Sequence, residues 1–178
     1  MPVFMITLHA YRSWTEDDPD GYFQRGRHGL RPPDQGLAIQ RSRRAALPPR
    51  RFTAEQQRFI VDQAVDIVQR RDIRLHAVSC TATHVHLVVS WFGDEELVNT
   101  IMPPHDQAKA VASKVKNILA TLLSKQAGSV GHRCFSRGCD CTPVIDSEHL
   151  NHLLAEYLPK HRRGGGIVRV LGKGDTSA

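Results

Sequence analysis

Two apolar runs rich in β-branched residues, 73–80 and 84–92, are separated only by Thr81, Ala82 and Thr83. Three residues cannot carry a crossover between parallel strands, so the runs pair as an antiparallel hairpin. This constraint puts an antiparallel sheet at the centre of the chain. Side chains alternate faces along a strand, so Val85 and Leu87 point one way while His84 and His86 point the other. Two imidazoles about 7 Å apart on one strand face lie within rotamer reach of a shared divalent ion. The competing reading is a pair of structural histidines, because a chain with ten histidines makes chance pairs easy.

The remaining pattern supplies elements to cover that sheet. Residues 3–11 mix β-branched and aromatic side chains in a short run that suits a buried strand. From 12 to 51, Pro19, Pro32, Pro33, Pro48 and Pro49 with Gly21, Gly26, Gly29 and Gly36 predict a long loop without a long regular element. Thr53 followed by Gln56 reads as a helix N-terminus, and Phe59, Ile60, Ala64, Ile67 and Val68 recur at helical spacing up to about Arg71. A second helix is expected over 105–125, with Ala108, Val111, Ala112, Val115, Ile118, Leu119 and Leu122 as its apolar stripe. Segments 133–135 and 142–145 read as a short hairpin around Gly138. Asp146 or Ser147 caps a third helix that reaches Tyr157 or Leu158, where Pro159 stops or kinks it. Residues 167–171 read as an edge strand. The sum is an α+β domain, an antiparallel sheet flanked by helices near the ferredoxin-like plan. It spans 1–166, with an Arg-rich loop at 12–52 and a C-terminal tail at 167–178.

Charge and cysteine usage narrow the class of partner. The 178 residues carry 24 Lys+Arg against 18 Asp+Glu, a formal net charge of +6. An anionic partner fits this balance, with nucleic acid the commonest, although a solvated basic surface accounts for it equally well. No run of about 18 apolar residues occurs, and the amino end lacks the features of a secretory signal. A cytoplasmic protein with no membrane partner is therefore expected. Four cysteines in that setting read as thiols or metal ligands rather than disulfides. Cys80 stands alone, whereas Cys134, Cys139 and Cys141 cluster near His132. Their spacing is not a paired CxxC pattern, so reduced thiols are the main reading and a zinc-stabilised binding domain the alternative.

Three stretches in order resemble one family. Thr83-His84-Val85-His86-Leu87-Val88-Val89 resembles the His-hydrophobic-His signature of the single-tyrosine HUH transposases, including the REP-associated tyrosine transposases, with Thr83 where those proteins usually carry Asn. Tyr11-Arg12-Ser13-Trp14 with Asp18-Pro19-Asp20-Gly21-Tyr22 is similar to the family's early segment. Leu153-Leu154-Ala155-Glu156-Tyr157-Leu158 is similar to the late helix that presents the nucleophilic tyrosine. The resemblance covers most of residues 3 to 168. It implies an HUH-endonuclease-like fold and metal-dependent cleavage and rejoining of single-stranded or hairpin DNA, in a nucleoid-associated protein that can pair as a homodimer. It further implies His84 and His86 as metal ligands; two imidazoles with a polar ligand and open sites accept Mg²⁺ or Mn²⁺ during catalysis, and Zn²⁺, Co²⁺ or Ni²⁺ by raw affinity. At four residues past Tyr157, His161 matches the position of the third ligand, with a solvated histidine as the competing reading.

The residues support a nucleophile independently. Of three tyrosines, Tyr11 and Tyr22 fall at a strand end and in the loop, whereas Tyr157 falls on a capped helix. In-line attack on a phosphodiester needs a hydroxyl held that firmly, and a core tyrosine is the alternative. The resemblance implies a 5′-phosphotyrosine link and a free 3′ hydroxyl. Arg25, Arg27, Arg31, Arg41, Arg43 and Arg44, with Arg162 and Arg163, are candidates to neutralise backbone phosphates. Trp14, Tyr22 and Phe23 are candidates to stack on unpaired bases. A relative that binds nucleic acid without catalysis is the rival function.

Overall fold

The computed structural model describes residues 1–19, 21–23, 29–71, 73–91, 103–126 and 133–171. In chain order it contains β1 (Val3–His9), β2 (Tyr22–Phe23), β3 (Leu30–Arg31), α1 (Gln35–Arg44), α2 (Ala54–Gln69), β4 (Ile73–Cys80) and β5 (His84–Trp91). These are followed by α3 (Pro104–Gln126), β6 (Asp140–Pro143), α4 (Ser147–His152) and β7 (Ile167–Val170). Between α4 and β7 the chain passes through a π-helical turn Leu153–Tyr157, an α turn Leu158–Lys160 and a 3-10 turn His161–Gly164.

β4 and β5 form the expected hairpin, closed by Thr81 N–H donating to His84 O at 2.9 Å. They sit inside a five-stranded sheet of order β6-β1-β5-β4-β7, antiparallel throughout, with β5 in the middle. Strand alternation gives the sheet two different faces. Ile6 and Leu8 of β1 and Val85, Leu87 and Val89 of β5 face one way, where they pack with Ile60, Ala64 and Val68 of α2 and Ala112, Val115 and Leu119 of α3. Burying large apolar side chains contributes about 1.5–3 kcal/mol each before entropy is counted, so this layer is the main core. Ala77 and Val88 face the other way, against Leu153, Leu158, Leu150, Leu154 and Tyr157. The chain is therefore α+β with helical segments on both faces of one antiparallel sheet.

α2 starts where its sequence signal places it. Thr53 and Gln56 form the reciprocal capping box, with Thr53 Oγ1 accepting from Gln56 N–H at 3.2 Å. The segment 12–51 corrects the expectation of a loop without a long element, because it contains the ten-residue helix α1 and the small β2–β3 hairpin. Asp34 caps α1 by accepting from Leu37 N–H at 2.8 Å. No residue of α1 is buried, so apolar periodicity could not reveal the helix.

Two further expectations need correction. Segment 133–135 does not pair with 142–145. Phe135 bridges Ala10, and β6 pairs with β1, so the two lie in succession along the β1 edge. Residues 167–170 are the fifth strand of the sheet, paired with β4, so the boundary at 166 cuts through the domain. Arg169 Nη2 also reaches Asp62 Oδ1 of α2 at 2.6 Å. Among the described residues no helix is long and apolar enough to cross a membrane.

Candidate metal centre

Strand register builds the site. Thr7 of β1 and Ser79 of β4 lie opposite His86, one on each side of β5, and His9 lies opposite His84. The 147–164 helical segment covers this face and brings His161 down onto the pair. The ring centroids of His84 and His86 are 4.7 Å apart, those of His84 and His161 5.2 Å, and those of His86 and His161 4.9 Å. One ligating nitrogen from each ring lies within 4.8 Å of the other two. Among the described residues this is the one group of three or more His, Cys, Asp or Glu side chains with metal-holding geometry.

Hydroxyl groups orient all three rings. His86 Nδ1 is 2.9 Å from Thr7 Oγ1, and His161 Nδ1 is 2.8 Å from Ser79 Oγ. His84 Nδ1 is 3.0 Å from Thr83 Oγ1 and 3.3 Å from Thr81 Oγ1. With Nδ1 engaged in each ring, Nε2 is the nitrogen left for an ion, and an Nδ1–H donated to a hydroxyl leaves the Nε2 lone pair free. His86 Nε2 is buried without a hydrogen-bond partner. An orphaned buried ring nitrogen aimed among two other imidazoles is what a metal ligand looks like without its ion.

Protonation follows the same logic. Burial, with the neighbouring His161 and His9 rings adding to it, lowers the His84 pKa to about 4. Burial and then His84, His161 and His9 push His86 lower still, and burial lowers His161. All three rings are therefore neutral near pH 7, the form that ligates.

The helical segment over the site is irregular for a local reason. Pro159 has no N–H to donate and its ring crowds the preceding turn. The chain widens to a π turn just before it, with Leu158 N–H donating to Leu153 O. The helix thus continues past Pro159 instead of ending, and Tyr157 and His161 stay neighbours with ring centroids 5.4 Å apart. The Tyr157 ring is 5.6 Å from that of His86. Gly166 then lets the chain return to the sheet: its N–H donates to His161 O at 2.9 Å, and a Cβ there would lie 2.9 Å from His161 O and 3.0 Å from Cys80 O.

The other sequence candidates scatter. Trp14 is 44 % exposed, its ring centroid 5.6 Å from that of His9 and its Nε1–H donating to Gly21 O at 2.8 Å. Tyr22 is only 8 % exposed, so its ring is not offered for stacking, which corrects that expectation. The ring of Phe23, and the whole of Arg25, Arg27 and His132, lie outside what is described. Arg31 belongs to β3, and Arg41 pairs with Glu16. Arg43 and Arg44 are exposed at the end of α1. Arg162 and Arg163 are exposed just past His161, with Arg162 Nη2 donating to Val168 O at 3.2 Å. Cys139 and Cys141 bring their Sγ atoms to 3.8 Å, but the buried Cys134 packs against Ala120 O of α3.

Sequence reasoning missed the four hydroxyls and the His9–Asp140 pair, whose Nε2···Oδ2 distance is 3.0 Å. Hydrogen bonding to His9 holds the Asp140 carboxyl below its usual range. For Thr7, Ser79 and the His9–Asp140 pair the only signal was strand register, which one sequence does not supply, whereas Thr81 and Thr83 lie within three residues of His84. Fold and site together define a class: an α+β domain whose central strand and the helical segment packed on it present a candidate three-histidine metal centre with a tyrosine beside it. No family model and no curated protein matches the chain.

Proposed function

We propose that this chain is a metal-dependent single-stranded DNA endonuclease and strand-transferase that uses Tyr157 as its nucleophile. The observation that carries this reading is the convergence of His84, His86 and His161, with the Tyr157 ring in contact with two of the three. A part-buried three-imidazole pocket with a phenol beside it suits attack on a phosphodiester better than it suits structural metal binding, which closes its coordination shell.

A bound divalent ion would polarise a non-bridging phosphate oxygen and offset developing charge. An all-imidazole donor set favours a first-row ion such as Mn²⁺ over Mg²⁺, which prefers oxygen ligands. Within this reading the chain's own residues do the rest. Thr7, Ser79, Thr81 and Thr83 hold the rings in one tautomer and orientation. The π turn delivers the Tyr157 oxygen to phosphorus; a P–O bond to tyrosine forms as the P–O3′ bond breaks, giving a 5′-phosphotyrosine and a 3′ hydroxyl. Because bond energy is retained in that ester, a second 3′ hydroxyl can reverse the step onto a new strand. The positive charge of the chain supplies affinity for the phosphate backbone.

The test is covalent capture. A labelled single-stranded or hairpin oligonucleotide incubated with protein and Mn²⁺ is expected to shift to protein mass on a denaturing gel. Tyr157→Phe is expected to abolish the adduct while changing DNA affinity less than about twofold, since it removes one hydroxyl. DNA binding without an adduct in the unaltered chain would instead identify a silent nucleic-acid-binding protein of the same fold.

A further inference from the structure

Arginines also converge outside the metal centre. A cavity of about 410 Å³ opens where residues 47–53 lead into α2. Leu47, Pro48 and Pro49 form an apolar wall, and Arg50, Arg51 and Arg133 bring three guanidinium groups to its lining. Thr53 and Gln56, which complete the lining, are committed to each other in the α2 capping box. The free chemistry of the cavity is therefore cationic. Among the described residues no carboxylate pairs with any of the three arginines. Arg50 Nε is buried with no acceptor, although a buried N–H that has given up water ordinarily finds one. Guanidinium groups fit phosphate oxygens in a fork that a lone ammonium cannot reproduce.

The cavity is stitched to the metal centre by short bonds. Arg50 N–H donates to Tyr11 O at 2.7 Å and Phe52 N–H to Ala82 O at 2.8 Å. The next residue, Thr83, receives Ala10 N–H on its carbonyl at 2.8 Å and presents Oγ1 to His84 Nδ1. Along the same edge, the Arg133 guanidinium carbon sits 6.0 Å from the Tyr11 ring, and three residues on the exposed Trp14 packs on His9. Tyr11 thus touches the cavity's Arg133, and Trp14 touches His9, the strand neighbour of His84.

We propose that this cavity is a distinct phosphate-binding site, holding a backbone phosphodiester of the single strand that flanks the one at the metal centre. This rests on the reading of single-stranded DNA as substrate. Two exposed members, Arg51 and Arg133, allow it to be tested without disturbing the half-buried Arg50. Fluorescence anisotropy would measure the full chain's affinity for an oligonucleotide in which each phosphate in turn is replaced by a neutral methylphosphonate. One flanking position is expected to weaken binding about tenfold in the unaltered protein. Arg51→Gln combined with Arg133→Gln should abolish that position's effect and make the salt slope shallower by about 0.7. Lys114→Gln combined with Lys125→Gln, an equal loss of two charges on exposed α3 surface, should keep it. A 5′-phosphorylated oligonucleotide binding better than its hydroxyl counterpart, with no internal position sensitive, would assign the cavity to a terminal phosphate and overturn the proposal. Equal sensitivity at every position in all proteins would overturn it as well. Absence of any adduct with unaltered protein would defeat the nuclease reading, whereas an adduct with arginine variants indistinguishable from the unaltered chain would defeat this inference alone.

Discussion

Each imidazole in the site is held by an atom that looks unremarkable in the sequence. Thr7→Val keeps the shape of the side chain but removes the hydroxyl 2.9 Å from His86 Nδ1. Metal affinity is expected to fall by about 10- to 100-fold with the fold retained, as checked by competition against a chromophoric chelator alongside circular dichroism. The same residues set a pH dependence. A histidine whose folded pKa lies below the unfolded value near 6.5 binds fewer protons in the folded chain, so stability falls as pH falls through that window. With His84 at about 4 and His86 lower, the metal-free protein should lose denaturation midpoint steadily from about pH 6.5 to 4. Adding an ion that binds only neutral rings should restore the midpoint at the upper end of that range. At this scale the His84–His86 pair was legible because alternation is local. Thr7 and Ser79 were not, because their relation to His86 depends on register across three strands.

Elements that carry an apolar stripe or a cap announced themselves. Thr53 with Gln56 marked the start of α2, and the Ala112, Val115, Leu119 stripe marked α3, since both signals arise from the burial and hydrogen bonding that form the helices. α1 buries nothing, so no apolar stripe marked it, and the prolines and glycines around it read as a loop. The segment around Tyr157 shows how a breaker residue can be absorbed. Pro159 predicts a stop or a kink, and one widened turn before it removes the need for its N–H. The return to the sheet leaves no room at Gly166, so Gly166→Ala should push the 161–166 turn off the end of β4. A loss of about 1–3 kcal/mol in unfolding free energy, with weaker metal binding at His161, is expected from denaturant titration and chelator competition. Unchanged metal affinity would mean that this turn does not position His161.

At the level of the whole molecule, the sheet's two faces divide the labour. One packs α2 and α3 into the main core, and the other spends part of its area on a polar pocket containing His86. The antiparallel α+β plan was readable from the hairpin and the order of elements. Strand order was not, because pairing of β1 with β5, β6 with β1 and β7 with β4 depends on contacts distant in sequence. The tail beginning at 167 belongs to this architecture: β7 covers the edge of β4, the strand that supplies Ser79, and ties to α2 through Arg169 and Asp62. A chain ended at residue 166 should melt at lower temperature than the full chain and aggregate through its uncovered β4 edge, as read by thermal melting with light scattering.

Three imidazoles are placed to share one ion beside the Tyr157 ring, and anomalous diffraction from a Mn²⁺-soaked crystal shows whether they do. One strong peak is expected about 2.0–2.3 Å from the Nε2 atoms of His84, His86 and His161, with Tyr157 Oη facing an open coordination position. A peak at Cys139 and Cys141 instead, no peak among the three rings, or a Tyr157 hydroxyl turned away from it would rule out a tyrosine nuclease centred on these histidines.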